Sequence, residues 1–174
     1  SKRAAIVRPN GPEMATAFLS ISSYMSAAPL NPSYKLKEYE FYLQDLMPKI
    51  VIVEKDSHNP AVEAAKNLGI EICEIKKIDN APAGIFNLYD ETSNFELATE
   101  NNEALVLHTS GTTSRPKVVP LTNKNIFSSA INISNSLQLS SQDHCYNIMP
   151  LFHIHGLIAV LSSSINAGAS VYAS

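Results

Sequence analysis

Between an apolar run, Ala104-Leu105-Val106-Leu107, and a shorter one, Val118-Val119, the sequence places Thr109, Ser110, Gly111, Thr112, Thr113 and Ser114, then Arg115-Pro116-Lys117. Two β-prone runs joined by a glycine-bearing loop predict a strand–loop–strand unit. The loop offers five hydroxyls, free backbone N–H groups and one lysine. Successive N–H groups make a concave donor site for an anion, and Lys117 adds the point charge that a polyphosphate needs. A solvated Ser/Thr turn is the plainer alternative for the same composition. A second stretch, Met149-Pro150-Leu151-Phe152-His153-Ile154-His155-Gly156-Leu157, follows another apolar run. His153 and His155 are candidates for lining a pocket, because ligands of α/β sheets gather at the carboxyl ends of strands. Residues i and i+2 share a face in a strand but not in a turn, so one of the two histidines can instead be a packing residue. A metal site would need a third ligand that this stretch does not supply, and no metal site is expected. His108, Cys145 and Asp143 have no nucleophile–base spacing, and there is no G-x-S-x-G elbow for a hydrolase.

The elements that must hold these residues follow from periodicity. Residues 4–7 read as a buried strand. Gly11-Pro12-Glu13 opens a helix with Met14, Phe18, Ile21 and Met25 on one face. Residues 27–30 form a second strand, and Leu36, Tyr39, Leu43 and Leu46 mark a helix ended by Pro48. Residues 50–53 are a β-branched strand, 61–68 a short helix closed by Gly69, and 70–75 a further strand. Residues 76–102 read as a long surface connection with one turn of helix. Residues 103–108 form the strand that enters the hydroxyl-rich loop. Thr122 caps a helix with Ile126, Ala130, Ile133 and Leu137 on its apolar face. Residues 145–149 form a strand, 157–165 a buried helix capped by Gly168, and 170–172 the start of another strand. Strands alternating with helices predict a layered α/β fold, a mostly parallel sheet with flanking helices.

Composition narrows the class of function. The 174 residues suffice for one domain with a core, and 45% hydrophobic against 17% charged content is that of a globular chain. A formal net charge of -3 with no basic block argues against nucleic acid as the main partner. No apolar run is long enough to span a membrane. Cys73 and Cys145, distant and set in apolar runs, read as buried free thiols of a reducing or peroxisome-like compartment. The absence of an initial methionine and the apolar run at Val171-Tyr172-Ala173 lead to the expectation that both ends are truncated. The strand near residue 170 is then expected to lack part of its cover.

The loop resembles the phosphate-binding signature of the adenylate-forming superfamily, the acyl-CoA synthetases with their luciferase and peptide-synthetase relatives. That signature runs Ser/Thr-Ser-Gly-Thr-Thr-Gly-x-Pro-Lys-Gly, and here Ser114 and Val118 replace its later glycines. Ser114 resembles the variant of oxalate–CoA ligases and peroxisomal-type CoA synthetases, whereas Val118 departs from the pattern and stiffens the loop's exit. A Walker-type loop fits worse, since Pro116 and Val118 stand where its second glycine and its Ser/Thr belong. The stretch around His153 is similar to the family's second signature, its His-x-His-Gly form being that of short-acid ligases. The segments Asn10-Gly11-Pro12-Glu13 and Ala28-Pro29-Leu30-Asn31-Pro32 resemble the family's upstream region.

The resemblance therefore covers essentially the whole chain. It implies residues 1–174 as a partial N-terminal AMP-binding domain. The implied function is an ATP-dependent acid–CoA ligase for oxalate or another short polar acid, with ATP, Mg2+ and coenzyme A as its cofactors and co-substrates. Thr109, Ser110, Gly111, Thr112, Thr113, Ser114 and Lys117 would hold phosphates, and His153 and His155 would line the acid pocket. The family's Tyr-Gly-x-Thr-Glu signature, ribose-binding Asp and C-terminal domain with the catalytic lysine are not in this sequence, so the chain alone is expected to be inactive. The expected partners are a small carboxylate, ATP and CoA, with an oligomer left open. The expected location is cytoplasmic or peroxisomal. Two alternatives remain: a medium- or long-chain or aryl acyl-CoA ligase, and a non-catalytic binding module on the same half-domain.

Overall fold

A computed structural model of the chain describes residues 2–88, 96–109 and 116–174. Among them, β1 (Arg3–Val7), β2 (Ser26–Leu30), β3 (Ile50–Glu54), β4 (Glu71–Lys77), β5 (Phe86–Leu88), β6 (Glu103–Thr109) and β7 (Lys117–Thr122) form one sheet in the order β5-β4-β3-β1-β2-β6-β7. The strands from β4 to β6 are parallel, and β5 and β7 pair antiparallel at the two edges. A separate parallel pair joins β8 (His144–Asn147) to β9 (Ser170–Ala173). The helices are α1 (Pro12–Ser22), α2 (Leu36–Leu46), α3 (Pro60–Asn67), α4 (Asn123–Ser136) and a π-helix (His155–Ser162) that runs into α5 (Ser163–Asn166). This is the layered α/β arrangement expected from the alternation of strand and helix patterns.

Period-two alternation in the strands sorts side chains to the two faces of the sheet. Ala4, Ile6, Leu105 and Leu107 join Met14 and Phe18 of α1 and Leu157 and Leu161 of the π-helix in one core. Ala5, Val7, Val51, Val53 and Val106 join Tyr39 and Leu43 of α2 and Ala61 and Ala64 of α3 in the other. Each fully buried large side chain here contributes on the order of 1.5–3 kcal/mol. The chain leaves β1 through α1 on one face and returns through α2 on the other, which puts a reversal of strand order between the parallel strands β1 and β3. Thr122 caps α4 as expected, its Oγ1 accepting from the Asn125 N–H while Asn125 Oδ1 accepts from the Thr122 N–H.

Several expectations need correction. The connection from 76 to 102 contains β5, three residues paired with the end of β4, where one turn of helix was expected. The strand expected to run to Met149 ends at Asn147. Leu137 lies past the end of α4 and is 63% exposed. The buried helix expected over 157–165 begins as a π-helix, with Ser162 Oγ donating to the Leu157 carbonyl. Cys73 and Cys145 form no disulfide and are only half-buried. Tyr146 and Tyr172 stack on the exposed side of β8 and β9 with ring centroids 5.1 Å apart. No described helix is long and apolar enough to cross a membrane.

Arg8 follows β1 and is buried beside two carboxylates, its Nη2 3.8 Å from Glu13 and 3.7 Å from Glu54. Its Nε and Nη1 have no hydrogen-bond partner among the described residues, and an unmade bond of a buried charged group is costly. Lys77 lies 3.4 Å from Glu13 on its other side. Arg8→Met should therefore unfold at an equal or higher denaturant midpoint, since Glu13 keeps Lys77. A loss above ~1 kcal/mol would show that the buried guanidinium is net stabilising. Burial pushes the Glu13 carboxyl up, but its own backbone N–H, Lys77 and Arg8 outweigh burial and hold it below the ordinary glutamate range. A depressed folded pKa adds stability above that range, and the gain is lost as pH falls through the folded value. Below about pH 4.5, unfolding free energy should fall less steeply in Glu13→Gln than in the native chain. Parallel curves would contradict this.

Candidate functional site

The antiparallel pairing of β6 and β7 sets Leu107 opposite Val119, His108 opposite Val118 and Thr109 opposite Lys117. The strand–loop–strand unit read from the sequence is thus closed at its base by Thr109 and Lys117. Ser110, Gly111, Thr112, Thr113 and Ser114, expected to hold phosphates, lie outside the described residues. Lys117 is exposed. Val118 is partly buried against the core around Tyr39 and Val106. That gives the residue standing in place of the signature's last glycine a packing role.

The second stretch is a turn held by side-chain amides. Asn147 Oδ1 accepts from the Met149 N–H at 2.9 Å, and its Nδ2 donates to the Gly156 carbonyl at 3.4 Å. The His153 N–H donates to the Pro150 carbonyl, and the Leu157 N–H to the His153 carbonyl. Gly156 passes so close to this turn that a Cβ there would stand 2.5 Å from the Pro150 carbonyl oxygen and 3.0 Å from that of Met149. His153 lies in the turn and His155 opens the π-helix. Neither is in a strand, yet both reach the same cavity.

That cavity has a volume of about 620 Å³. It is lined by His153 and His155, by Met149 and Phe152, by Leu107, His108 and Thr109 of β6, and by Pro116, Val119 and Leu121 across the hairpin. Tyr34 and Tyr42 close its far side. The structure therefore brings Thr109, His153 and His155 to one space, with Lys117 next to its wall residue Pro116.

Sequence reading missed the wall built around His108. Its Nε2 lies 2.9 Å from Asp45 Oδ2 of α2, a contact between residues 63 apart. Tyr42 meets the His108 ring edge-on, with centroids 4.6 Å apart, and Tyr34 stacks on Tyr42 at 4.8 Å. Burial and the hydrogen bond with Tyr42 raise the Tyr34 phenol above its ordinary pKa, so it remains a neutral hydroxyl at physiological pH. The one sequence signal was helical spacing, since Tyr42 and Asp45 are three apart and share a face of α2. Phe152 tilts against His153, with centroids 4.5 Å apart. Among the described residues, no group of three His, Cys, Asp or Glu side chains is placed to hold a metal.

Known proteins resemble this chain throughout its length. Residues 1–174 match the family described as AMP-binding enzyme. An oxalate–CoA ligase of Arabidopsis thaliana is 42% identical over 173 residues, covering 96% of this chain and 34% of the relative. An oxalate–CoA ligase of Saccharomyces cerevisiae is 36% identical over 194 residues, covering 96% of this chain and 36% of the relative. The chain thus spans about a third of the length of these curated relatives. Among solved structures, a malonyl-CoA ligase in a ternary product complex with methylmalonyl-CoA and AMP superposes with a TM-score of 0.74 at 27% identity, covering 98% of this chain and 34% of that one.

The packing at Gly156 makes a direct prediction. A methyl group there meets two backbone carbonyl oxygens that cannot rotate away, so the turn must move. Gly156→Ala should cost about 1–3 kcal/mol in chemical denaturation. A variant as stable as the native chain would contradict the close approach.

Proposed function

We propose, from the premise that the chain belongs to the AMP-binding enzyme family, that it is part of the N-terminal domain of an ATP-dependent acid–CoA ligase acting on oxalate or a similarly short polar acid. The observation that carries this is the single cavity lined by His153, His155 and both stems of the hydroxyl-rich loop. The relatives in Arabidopsis thaliana and Saccharomyces cerevisiae are oxalate–CoA ligases, which supports the choice of acid.

In the reaction, a carboxylate oxygen of the acid attacks the α-phosphorus of ATP. The bond to the bridging oxygen breaks, pyrophosphate leaves and an acyl-adenylate remains. The sulfur of CoA then attacks the acyl carbon, AMP departs with the electron pair of the broken C–O bond, and the thiol proton is released. Thr109 and the N–H and hydroxyl groups of Ser110, Gly111, Thr112, Thr113 and Ser114 hold the β- and γ-phosphates, with Lys117 supplying charge. The loop acts by positioning and electrostatic stabilisation. Magnesium brought in with ATP would spread the phosphate charge; among the described residues no group of three His, Cys, Asp or Glu side chains is placed to hold it. The non-reacting carboxylate of a diacid stays charged, and burying it unpaired would cost several kcal/mol. His153 and His155 offer ring N–H donors for it. Cytoplasm and peroxisome are both compatible with two cysteines that form no disulfide.

Two variants of the complete protein test this. Lys117→Ala removes a charge-assisted contact worth roughly 1.5–3 kcal/mol, so acyl-adenylate formation should slow about ten- to a hundredfold without loss of fold. An unchanged rate would remove Lys117 from the phosphate site. His155→Leu should lower kcat/KM for oxalate far more than for butyrate. Equal losses would make His155 structural, and a native enzyme that prefers long-chain acids would overturn the assignment of oxalate.

A further inference from the structure

We infer that Asn10 is a positioning residue for the acid-binding half of this site, its carboxamide clamping the turn that presents His153 and His155. Asn10 lies between β1 and α1, and its side chain reaches a turn some 140 residues away in sequence. Its Oδ1 accepts from the Leu151 N–H at 2.9 Å, and its Nδ2 donates to the Met149 carbonyl at 3.3 Å. The two contacts straddle Pro150, which has no N–H of its own. A carboxamide is suited to this, carrying an acceptor and a donor on one planar group.

The clamp is continuous with the histidines. Pro150, fixed on both sides by Asn10, accepts the His153 N–H and is the residue against which Gly156 packs. His155 stands directly before Gly156. Displacing Pro150 therefore displaces both imidazoles together. Gly11 directs the chain away from the clamp into α1 at φ 146, a conformation open to glycine. Asn10 thus does for the turn what a neighbouring strand would do, and it ties the turn to the first strand of the main sheet.

The clamp stands on its own geometry, while its effect on the acid rests on the function proposed above. Among the described residues, the carboxamide of Asn10 bonds to Met149 and Leu151 of the turn and not to β6 or β7, the stems of the hydroxyl-rich loop. The clamp should accordingly matter for the acid and not for the nucleotide. A residue that only stabilises the fold would weaken both together.

The test uses the complete protein with Asn10→Ala and Asn10→Asp. It reads steady-state kinetics with oxalate and ATP, the chemical-denaturation midpoint, and amide hydrogen exchange at Leu151. In Asn10→Ala, kcat/KM for oxalate should fall roughly tenfold or more while KM for ATP stays within about twofold. Exchange at Leu151 should accelerate about tenfold or more, with the amides of β1 unaffected. Asn10→Asp keeps the acceptor for Leu151 and loses the donor to Met149, so it should restore protection at Leu151 and only part of the activity. Unchanged exchange at Leu151 in Asn10→Ala overturns the clamp. Parallel losses for oxalate and ATP that track the denaturation midpoint overturn the positioning role. Failure of the proposed function would appear differently, as a native protein that does not adenylate oxalate. The exchange measurement then still decides whether Asn10 holds the turn.

Discussion

Parallel pairing is the constraint on which the rest of the structure depends. Because β4, β3, β1, β2 and β6 all run the same way, their carboxyl ends open on one edge of the sheet. The segments that leave them carry Asn10 after β1, Asn31 and Tyr34 after β2, and Thr109 at the end of β6. The antiparallel return of β7 brings Lys117 back to that same edge. Tyr34 and Thr109, distant in sequence, thereby line one cavity with His153 and His155, while Asn10 bonds to the turn that carries the histidines. The chemistry follows from strand direction before it follows from any single side chain.

The turn from Met149 to Gly156 faces the opposite problem, since it lies beyond the end of β8 and lacks a strand partner. The Met149 N–H and carbonyl, the Leu151 N–H and the Gly156 carbonyl are met by two asparagine carboxamides, and the His153 N–H by the turn's own carbonyl at Pro150. A buried polar group left unpaired costs about 1–3 kcal/mol, so such a turn holds one shape only while these amides are present. The π-helix that follows extends the same economy of polar partners: Ser162 and Ser163 return their hydroxyls to its carbonyls at Leu157 and Ala159. Wide turns of this kind often occur at functional sites. Here the first residue of the π-helix is His155.

Much of the fold was legible because burial imposes a period. Met14, Phe18 and Ile21 recur at helical spacing and are buried; Ile50, Val51, Ile52 and Val53 are β-branched and form a central strand. Where burial is weak the period fails. The three-residue β5 at an edge has one half-buried and two exposed residues and no pattern to read. Leu137 is apolar but sits past the cap of α4, where a stripe of spacing carries no information about the helix end. The π-helix is apolar on nearly every position, so its sequence says that it is buried and not how it is wound. At the site, the β6–β7 hairpin was legible from its two β-prone runs, and the pair His153 and His155 stood out by residue type and spacing; both reach the cavity. The contact of His108 with Asp45, the stack of Tyr34 on Tyr42 and the reach of Asn10 to Leu151 were not legible. They are contacts made by the fold between residues that share no local pattern.

The proposed reaction joins a carboxylate to the α-phosphate of ATP in the cavity between the hairpin of β6 and β7 and the histidine turn. The most direct measurement is ATP–pyrophosphate exchange by the complete protein, with and without oxalate, followed by identification of the nucleotide released when CoA is added. Exchange that requires oxalate, with AMP released on addition of CoA, is the expected result. Exchange that proceeds equally without an acid, or release of ADP and phosphate in place of AMP and pyrophosphate, would contradict it.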